Sequence, residues 1–358
     1  MKKKLLALAL ACGMIFGLAA CGSNGNTTES PAAGNTDTPA VTSDTPAVEN
    51  NYEPATIRVA YMPNLGSASS LFTAIHQGYF DEVGLTVETS QFSGGPAEIA
   101  AMASGDIDIS QIGHGAHSLC IQGDAVVFAF DQLSQADAVV ANKAKGIETA
   151  ADLKGKTVAV SSGTSSEIIL QFVLADAGLT MDDINTVEMN VEGMTTALIS
   201  GQIDAAATWS PNTVTLEQTL GDDYLVLGTN TDYTDQAAFP SSFICTPEYA
   251  EANQDILVRF SQAILKAQVY RAANIEEVAK TLAADLDAPE DTMLLSVGEG
   301  DWQGAVDCMG DFDTIRSLYE AQQQVFLNNG TITEEVPVDN YVLFDVMQQA
   351  YDAYSASK

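Results

Sequence analysis

The sequence predicts an α/β protein of two lobes, each a mainly parallel β-sheet flanked by helices, with a cleft between them. Three observations carry that expectation. A strand–helix–strand–helix–strand order runs from residue 56 to residue 109 and recurs between residues 156 and 204. Two short fragments return inside it in the same order: Gly84-Leu85-Thr86 as Gly178-Leu179-Thr180, and Ser104-Gly105-Asp106-Ile107-Asp108 as Ser200-Gly201-Gln202-Ile203-Asp204. About 300 residues follow Ala55, enough for two lobes of ordinary domain size.

Taken in order, Thr56 to Tyr61 reads as a strand, an apolar-periodic stretch from Ser70 to Tyr79 as a helix, and Gly84 to Glu88 as a strand. Pro96 to Ser104 reads as a second helix and Asp106 to Ile109 as a third strand. In the second unit Lys156 to Val160 is a strand, Ser165 to Ala177 a helix, Thr186 to Met189 a strand, Met194 to Ser200 a helix, and Ile203 to Thr208 a strand. Two βαβαβ units of this kind imply parallel sheets with right-handed crossovers. Toward the C-terminus, Ile256, Phe260, Ile264 and Ala267, then Phe312, Ile315, Tyr319 and Phe326, fall at helical spacing and predict core-facing helices.

The N-terminal stretch reads differently. Lys2, Lys3 and Lys4 precede an apolar run from Leu5 to Leu18, and Ala19-Ala20-Cys21-Gly22 follows. The run falls short of the ~20 residues a membrane-crossing helix needs, so residues 1–20 read as a secretory signal. Leu18 to Cys21 has the form of a bacterial lipobox, in which the Cys21 thiol takes a lipid. Residues 21–53 read as that lipidated cysteine followed by a flexible tether, being rich in Ser, Thr, Asn, Pro and Gly with almost no large apolar side chain. Loss of residues 1–20 leaves 11 basic against 48 acidic residues, a net charge of −37. That charge repels nucleic acid and anionic headgroups, which leaves the lipid as the means of membrane attachment. Cys120, Cys245 and Cys308 are odd in number and widely spaced, so they imply neither a disulfide framework nor a metal pair.

In open α/β sheets small molecules bind beyond the carboxyl ends of the strands, where helices present free N–H groups. The loops expected there are suited to it. Asn64 and the serines Ser67, Ser69 and Ser70 accompany the first helix; Ser93-Gly94-Gly95 opens the second, with Pro96 where its missing N–H costs nothing. His114 lies between two glycines after the third strand. In the second unit Ser162-Gly163-Thr164-Ser165 enters a helix, and Trp209 ends a strand before Ser210-Pro211. Any one loop of this kind is ordinary capping chemistry; their recurrence at corresponding strand ends makes these residues candidate ligand contacts. His114 and His117 are three apart, but no third metal ligand can be placed. No Gly-x-Ser-x-Gly elbow and no phosphate-binding glycine loop is present, so a catalytic role is not expected and no cofactor is implied.

On Gln77-Gly78-Tyr79-Phe80, Phe92-Ser93-Gly94-Gly95-Pro96, the paired Ser-Gly-x-Ile-Asp fragments, Ser162-Gly163-Thr164-Ser165 and Trp209-Ser210-Pro211, the chain resembles the solute-binding lipoproteins of ABC importers for aliphatic sulfonates, taurine and nitrate. That branch also includes binders of thiamine-pyrimidine precursors. The resemblance implies a type II periplasmic-binding-protein fold with two chain crossovers, near Val140 to Ala144 and near Asp232 to Ala238. Lobe 1 would then comprise residues 54–141 and 236–358, and lobe 2 residues 142–235. It further implies a monomer, lipid-anchored on the extracytoplasmic face of the cell membrane, that closes on a small organic anion and delivers it to permease subunits. A neutral or zwitterionic pyrimidine precursor, nitrate and bicarbonate are the alternatives. The named loops contain no Lys or Arg, which favours a sulfonate held by hydroxyl and N–H groups over nitrate or bicarbonate.

Overall fold

The computed structural model describes residues 52–358. The proposed signal segment, Cys21 and the tether lie outside the described residues.

Two sheets organise the chain. The first has the strand order β11-β4-β10-β3-β1-β2 and the second the order β7-β6-β8-β5-β9. Ala55–Tyr61 (β1), Leu85–Gln91 (β2) and Ile109–Ile112 (β3) are parallel, joined by the helices Leu65–His76 (α1) and Gly95–Ser104 (α2). Pro240–Cys245 (β10) runs antiparallel between β3 and Val126–Ser134 (β4), with the two-residue strand Gly300–Asp301 (β11) at the edge. A short helix, His117–Ile121 (α3), links β3 to β4.

The second sheet repeats the plan. Thr157–Val160 (β6), Asn185–Glu188 (β7) and Ala205–Trp209 (β8) are parallel, joined by Ser165–Asp176 (α4) and Val191–Ile199 (α5). Asp137–Asn142 (β5) lies antiparallel to both β8 and Tyr224–Thr229 (β9), and Asn212–Leu220 (α6) joins these last two in sequence. The local orders β2-β1-β3 and β7-β6-β8 are the same, which is the structural form of the repeat. The remaining helices, Pro247–Ala252 (α7), Gln254–Ala273 (α8), Ile275–Asp285 (α9), Glu290–Leu295 (α10), Trp302–Asp307 (α11), Phe312–Asn328 (α12) and Phe344–Ala356 (α13), follow β10 in sequence. Phe260 and Ile264 of α8 pack in one core with Ile57, Val59 and Phe128; Ile315, Tyr319 and Phe326 of α12 join another with Ala60, Ile112 and Ile244. Among the described residues no helix is long and apolar enough to cross a membrane. Cys120 and Cys245 are buried and Cys308 half-buried, all three as free thiols.

The recurring Ser-Gly-x-Ile-Asp fragments do the same job twice. Gly105 (φ +80°) and Gly201 (φ +71°) stand just past the ends of α2 and α5 in the left-handed conformation that glycine adopts without a Cβ penalty. Asp108 Oδ2 accepts the Arg58 N–H at 2.8 Å, and Asp204 Oδ2 accepts the Thr157 N–H, also at 2.8 Å. Each carboxylate fastens the neighbouring central strand, β1 at its middle and β6 at its first residue.

Boundaries differ from expectation at several places, α5 beginning at Val191 rather than Met194 and β8 at Ala205 rather than Ile203 among them. Helix α1 begins at Leu65 rather than Ser70, because Asn64 caps it by accepting the Ser67 N–H and the serines that read as loop are buried within the helix. The third strand starts at Ile109, the preceding Asp106 to Asp108 being spent on the turn and the carboxylate contact. The first passage between sheets lies at Gln135–Ala136, not near Val140 to Ala144, which falls inside or beyond β5 of the second sheet. Ser134 and Asp137 flank that passage with neither Gly nor Pro between them, so no turn residue marked it in the sequence. The chain returns to the first sheet between Thr229 and Pro240.

Candidate functional site

A cleft with about 530 Å³ of empty space opens where the two sheets face each other. From the first sheet it is lined by Asn64, Gly66 and Ser67 at the start of α1, Gly95 and Pro96 at the start of α2, and Gln111 and Gln132 within β3 and β4. From the second it is lined by Asp137 of β5, Gly163 to Ser165 before and at the start of α4, and Trp209 at the end of β8. Asp137 and Trp209 are direct cross-strand partners, so the acid and the indole enter the cleft side by side.

The two rims touch. A Cβ built on Gly115 would fall 2.3 Å from the Thr164 carbonyl carbon, and one on Gly163 would fall 3.2 Å from Pro96 Cγ. Gly95 is equally constrained within the first lobe, where a Cβ would lie 2.7 Å from that of Ala116. Glycine here permits close approach of backbone to backbone.

The polar groups at the α4 entrance are already engaged. Thr164 Oγ1 donates to the Ser161 carbonyl at 2.6 Å, Ser165 Oγ donates to Asp137 Oδ1 at 2.7 Å, and the Gly163 N–H donates to Glu167 Oε2 at 2.7 Å. Neither α2 nor α4 has a side-chain cap at its N-terminus; in α2 Pro96 has no N–H and the Ala97 N–H donates to the Gly94 carbonyl at 3.1 Å, which leaves the N–H of Gly95 as the first-turn donor there.

Charge in the cleft is acidic. Asp137 is 2% exposed, its carboxylate accepts from Ser165 Oγ and from Asn230 Nδ2 at 3.2 Å, and burial raises its pKa to about 6. Glu299 faces it closely enough to be felt, and burial raises that carboxyl to about 8. Among the described residues no Lys or Arg lines the cleft. Arg271 is fully buried, 3.1 Å from Asp131, which accepts from the cleft-lining Gln111, and lies 4.8 Å over the Trp302 ring.

Of the candidate contacts read from the sequence, Asn64, Ser67, Gly95, Pro96, Gly163, Thr164, Ser165 and Trp209 line the cleft. The others do not. Ser93 is exposed on the rim and Gly94 caps α2. Ser162 is exposed, its N–H and Oγ donating to Glu188 at 3.1 and 2.7 Å. His114 is a core residue: it is fully buried, with its ring centred 4.9 Å from Phe239 and 5.0 Å from Phe326, and burial lowers its pKa to about 3. His117 is likewise buried, 2.9 Å from Ser242 Oγ. Sequence reasoning missed Gln111, Gln132 and Asp137, since polar residues inside or opening strands carry no loop signature.

Comparison with known proteins agrees with this architecture. A binding protein of Brucella abortus is 32% identical over 233 residues, spanning 64% of this chain and 72% of its own. A Bacillus subtilis protein named for aliphatic sulfonate binding is 27% identical over 78% of this chain and 77% of its own. The crystal structure of the periplasmic aliphatic sulphonate binding protein SsuA from Escherichia coli superposes with a TM-score of 0.61 at 20% identity, covering 81% of this chain and 92% of that one, and shares the periplasmic-binding-protein fold. The family described as NMT1/THI5 like matches residues 67–278, and with that match over more than half its length the chain belongs to this family.

Proposed function

We propose that the protein is the extracytoplasmic solute-binding component of an ABC importer and captures a small sulfonated solute, an aliphatic sulfonate or taurine, without catalysis. The observation that carries this reading is the cleft itself: two rims in contact, with uncapped starts of α2 and α4 on opposite sides. Helix N-termini favour an anionic head, and Trp209 offers an apolar wall for an alkyl chain. The relative named for aliphatic sulfonate binding supports the same ligand class. Residues 54–136 with 236–358 would form one closing body and 137–235 the other, hinged at the two passages between sheets.

The same proposal places the protein at the outer face of the cell membrane as a monomer, held there by a lipid on Cys21 and a tether, and working with permease subunits. Lys2 to Lys4, the apolar run to Leu18 and Ala19-Ala20-Cys21 support the anchor. Titration calorimetry of the purified protein with ethanesulfonate, 2-aminoethanesulfonate, nitrate and bicarbonate tests the ligand. Saturable heat with a sulfonate and none with nitrate or bicarbonate is expected; binding of nitrate alone would sink the sulfonate reading. Cys21→Ser should release the chain to the medium or leave it uncleaved, and full membrane retention of a cleaved, lipid-free chain would overturn the anchor.

A further inference from the structure

The cleft wall is built from acceptors whose donors are committed elsewhere. Gln111 is 1% exposed and lines the cleft; its Nε2 donates to Asp131 Oδ2 at 3.0 Å, while its Oε1 has no hydrogen-bond partner. That orientation is fixed by chemistry. Asp131 can only accept, being ion-paired with Arg271 and reached by Gln268 Nε2 at 3.4 Å, so a flipped Gln111 would set two oxygens against each other. Arg271 and Asp131 thus lock the amide with its carbonyl oxygen free. Gln132 is held the same way: its Nε2 donates to the Gly66 carbonyl at 3.0 Å and its Oε1 is without a partner.

Asp137 completes the arrangement. It is buried in the same cleft, receives two neutral hydrogen bonds, and among the described residues pairs with no basic side chain. A buried carboxylate left without a cation and a buried carbonyl left without a donor each carry a desolvation cost. A ligand that brings N–H donors, and positive charge with them, removes both costs at once. A ligand without them removes neither.

Resting on the reading that this cleft is the solute site, we propose that Gln111 and Asp137 form a seat for an amino or ammonium head, so that the protein selects amine-bearing solutes over otherwise equal ones without the amine. An anionic end, where the solute has one, then lies toward the uncapped helix starts. The selectivity is set by the acceptor wall and not by the anion.

Two matched pairs of probes separate this from the sulfonate reading: 2-aminoethanesulfonate against ethanesulfonate, and 4-aminopyrimidine against pyrimidine, titrated calorimetrically into the full protein. The amine-bearing member of at least one pair should bind tenfold or more tightly than its partner. Asp137→Asn, which keeps the acceptor for Ser165, should shrink that ratio to near one. Gln111→Met should cut affinity for the amine probe about tenfold and leave its partner unchanged, and it decides the matter if Asp137→Asn melts early. Should 4-aminopyrimidine bind and neither sulfonate do so, the amine seat stands and the sulfonate reading falls. Equal binding of both sulfonates, with no preference for 4-aminopyrimidine over pyrimidine, leaves the sulfonate reading standing and overturns the seat. Binding of none of the four probes overturns both.

Discussion

Gly115 of the first lobe lies so close to Thr164 of the second that a Cβ on it would stand 2.3 Å from one backbone atom of Thr164 and 2.6 Å from two others. Backbone cannot turn aside as a side chain can, so relief requires α4 to move away, which opens the cleft. Gly115→Ala should therefore weaken solute binding by tenfold or more while the unliganded melting temperature changes little, because the open form removes the clash. Small-angle scattering with saturating solute should compact the natural protein and leave the variant extended. Unimpaired affinity in Gly115→Ala would show that the two rims are not held together in the bound state.

The paired aspartates give a second, independent prediction. Asp204 Oδ2 holds the Thr157 N–H, and Asp204 N–H in turn reaches the Thr157 carbonyl at 2.9 Å; Asp108 makes the same two contacts to Arg58. Charge-assisted bonds of this kind are worth ~1.5–3 kcal/mol. Asp204→Ala should lower denaturant stability by about that amount with solute affinity unchanged, measured by urea unfolding. Asp108→Ala should do the same with a smaller share from its Arg58 ion pair, which is partly exposed. Loss of solute affinity without loss of stability in either variant would give these residues a binding role.

These two examples mark where the sequence was readable. The Asp108 and Asp204 fragments recur because the same backbone problem, ending a helix and starting a strand, arises twice, and local problems leave local signatures. His114 looked like a site residue for a local reason too, standing between glycines beyond a strand end. Its ring instead packs against Phe239 and Phe326, which sit more than a hundred positions downstream and could not be foreseen from spacing. Gln111 was invisible in the opposite way. Inside a buried strand it reads as an interruption of apolar pattern, and its meaning depends on Asp131 and Arg271 arriving from β4 and α8.

Beneath the cleft, Glu98 of α2 is fully buried, accepts a hydrogen bond from Ser110, and is raised by burial to about 8. Its unfolded value is the ordinary 4.5, so between those limits the folded protein holds a proton that the unfolded chain has lost. The stability it contributes is complete below pH 4.5 and disappears as the pH rises through 8. Each pH unit in that window costs about 1.4 kcal/mol. Glu98→Gln keeps the shape and cannot ionise, so its stability relative to the natural protein should rise steadily from pH 5 to pH 8 in urea unfolding. Parallel profiles for the two proteins would mean that Glu98 is solvated and ionised as an ordinary carboxylate.

Trp209 tests both faces of the site at once. Read from the sequence as a candidate ligand contact, it is only 8% exposed and sits directly across from Asp137 in the β5–β8 pairing. Removing a buried indole costs ~3–5 kcal/mol, so Trp209→Ala should lower the melting temperature markedly as well as weaken binding. Trp209→Phe isolates the second effect, because it retains an aromatic ring in the wall and sacrifices only its outer part. Buried apolar area contributes roughly 25 cal/mol per Å², so the affinity loss in Trp209→Phe should grow with chain length from ethanesulfonate to hexanesulfonate. A loss equal at every length would assign Trp209 to holding Asp137 in place, and no loss at any length would confine it to packing.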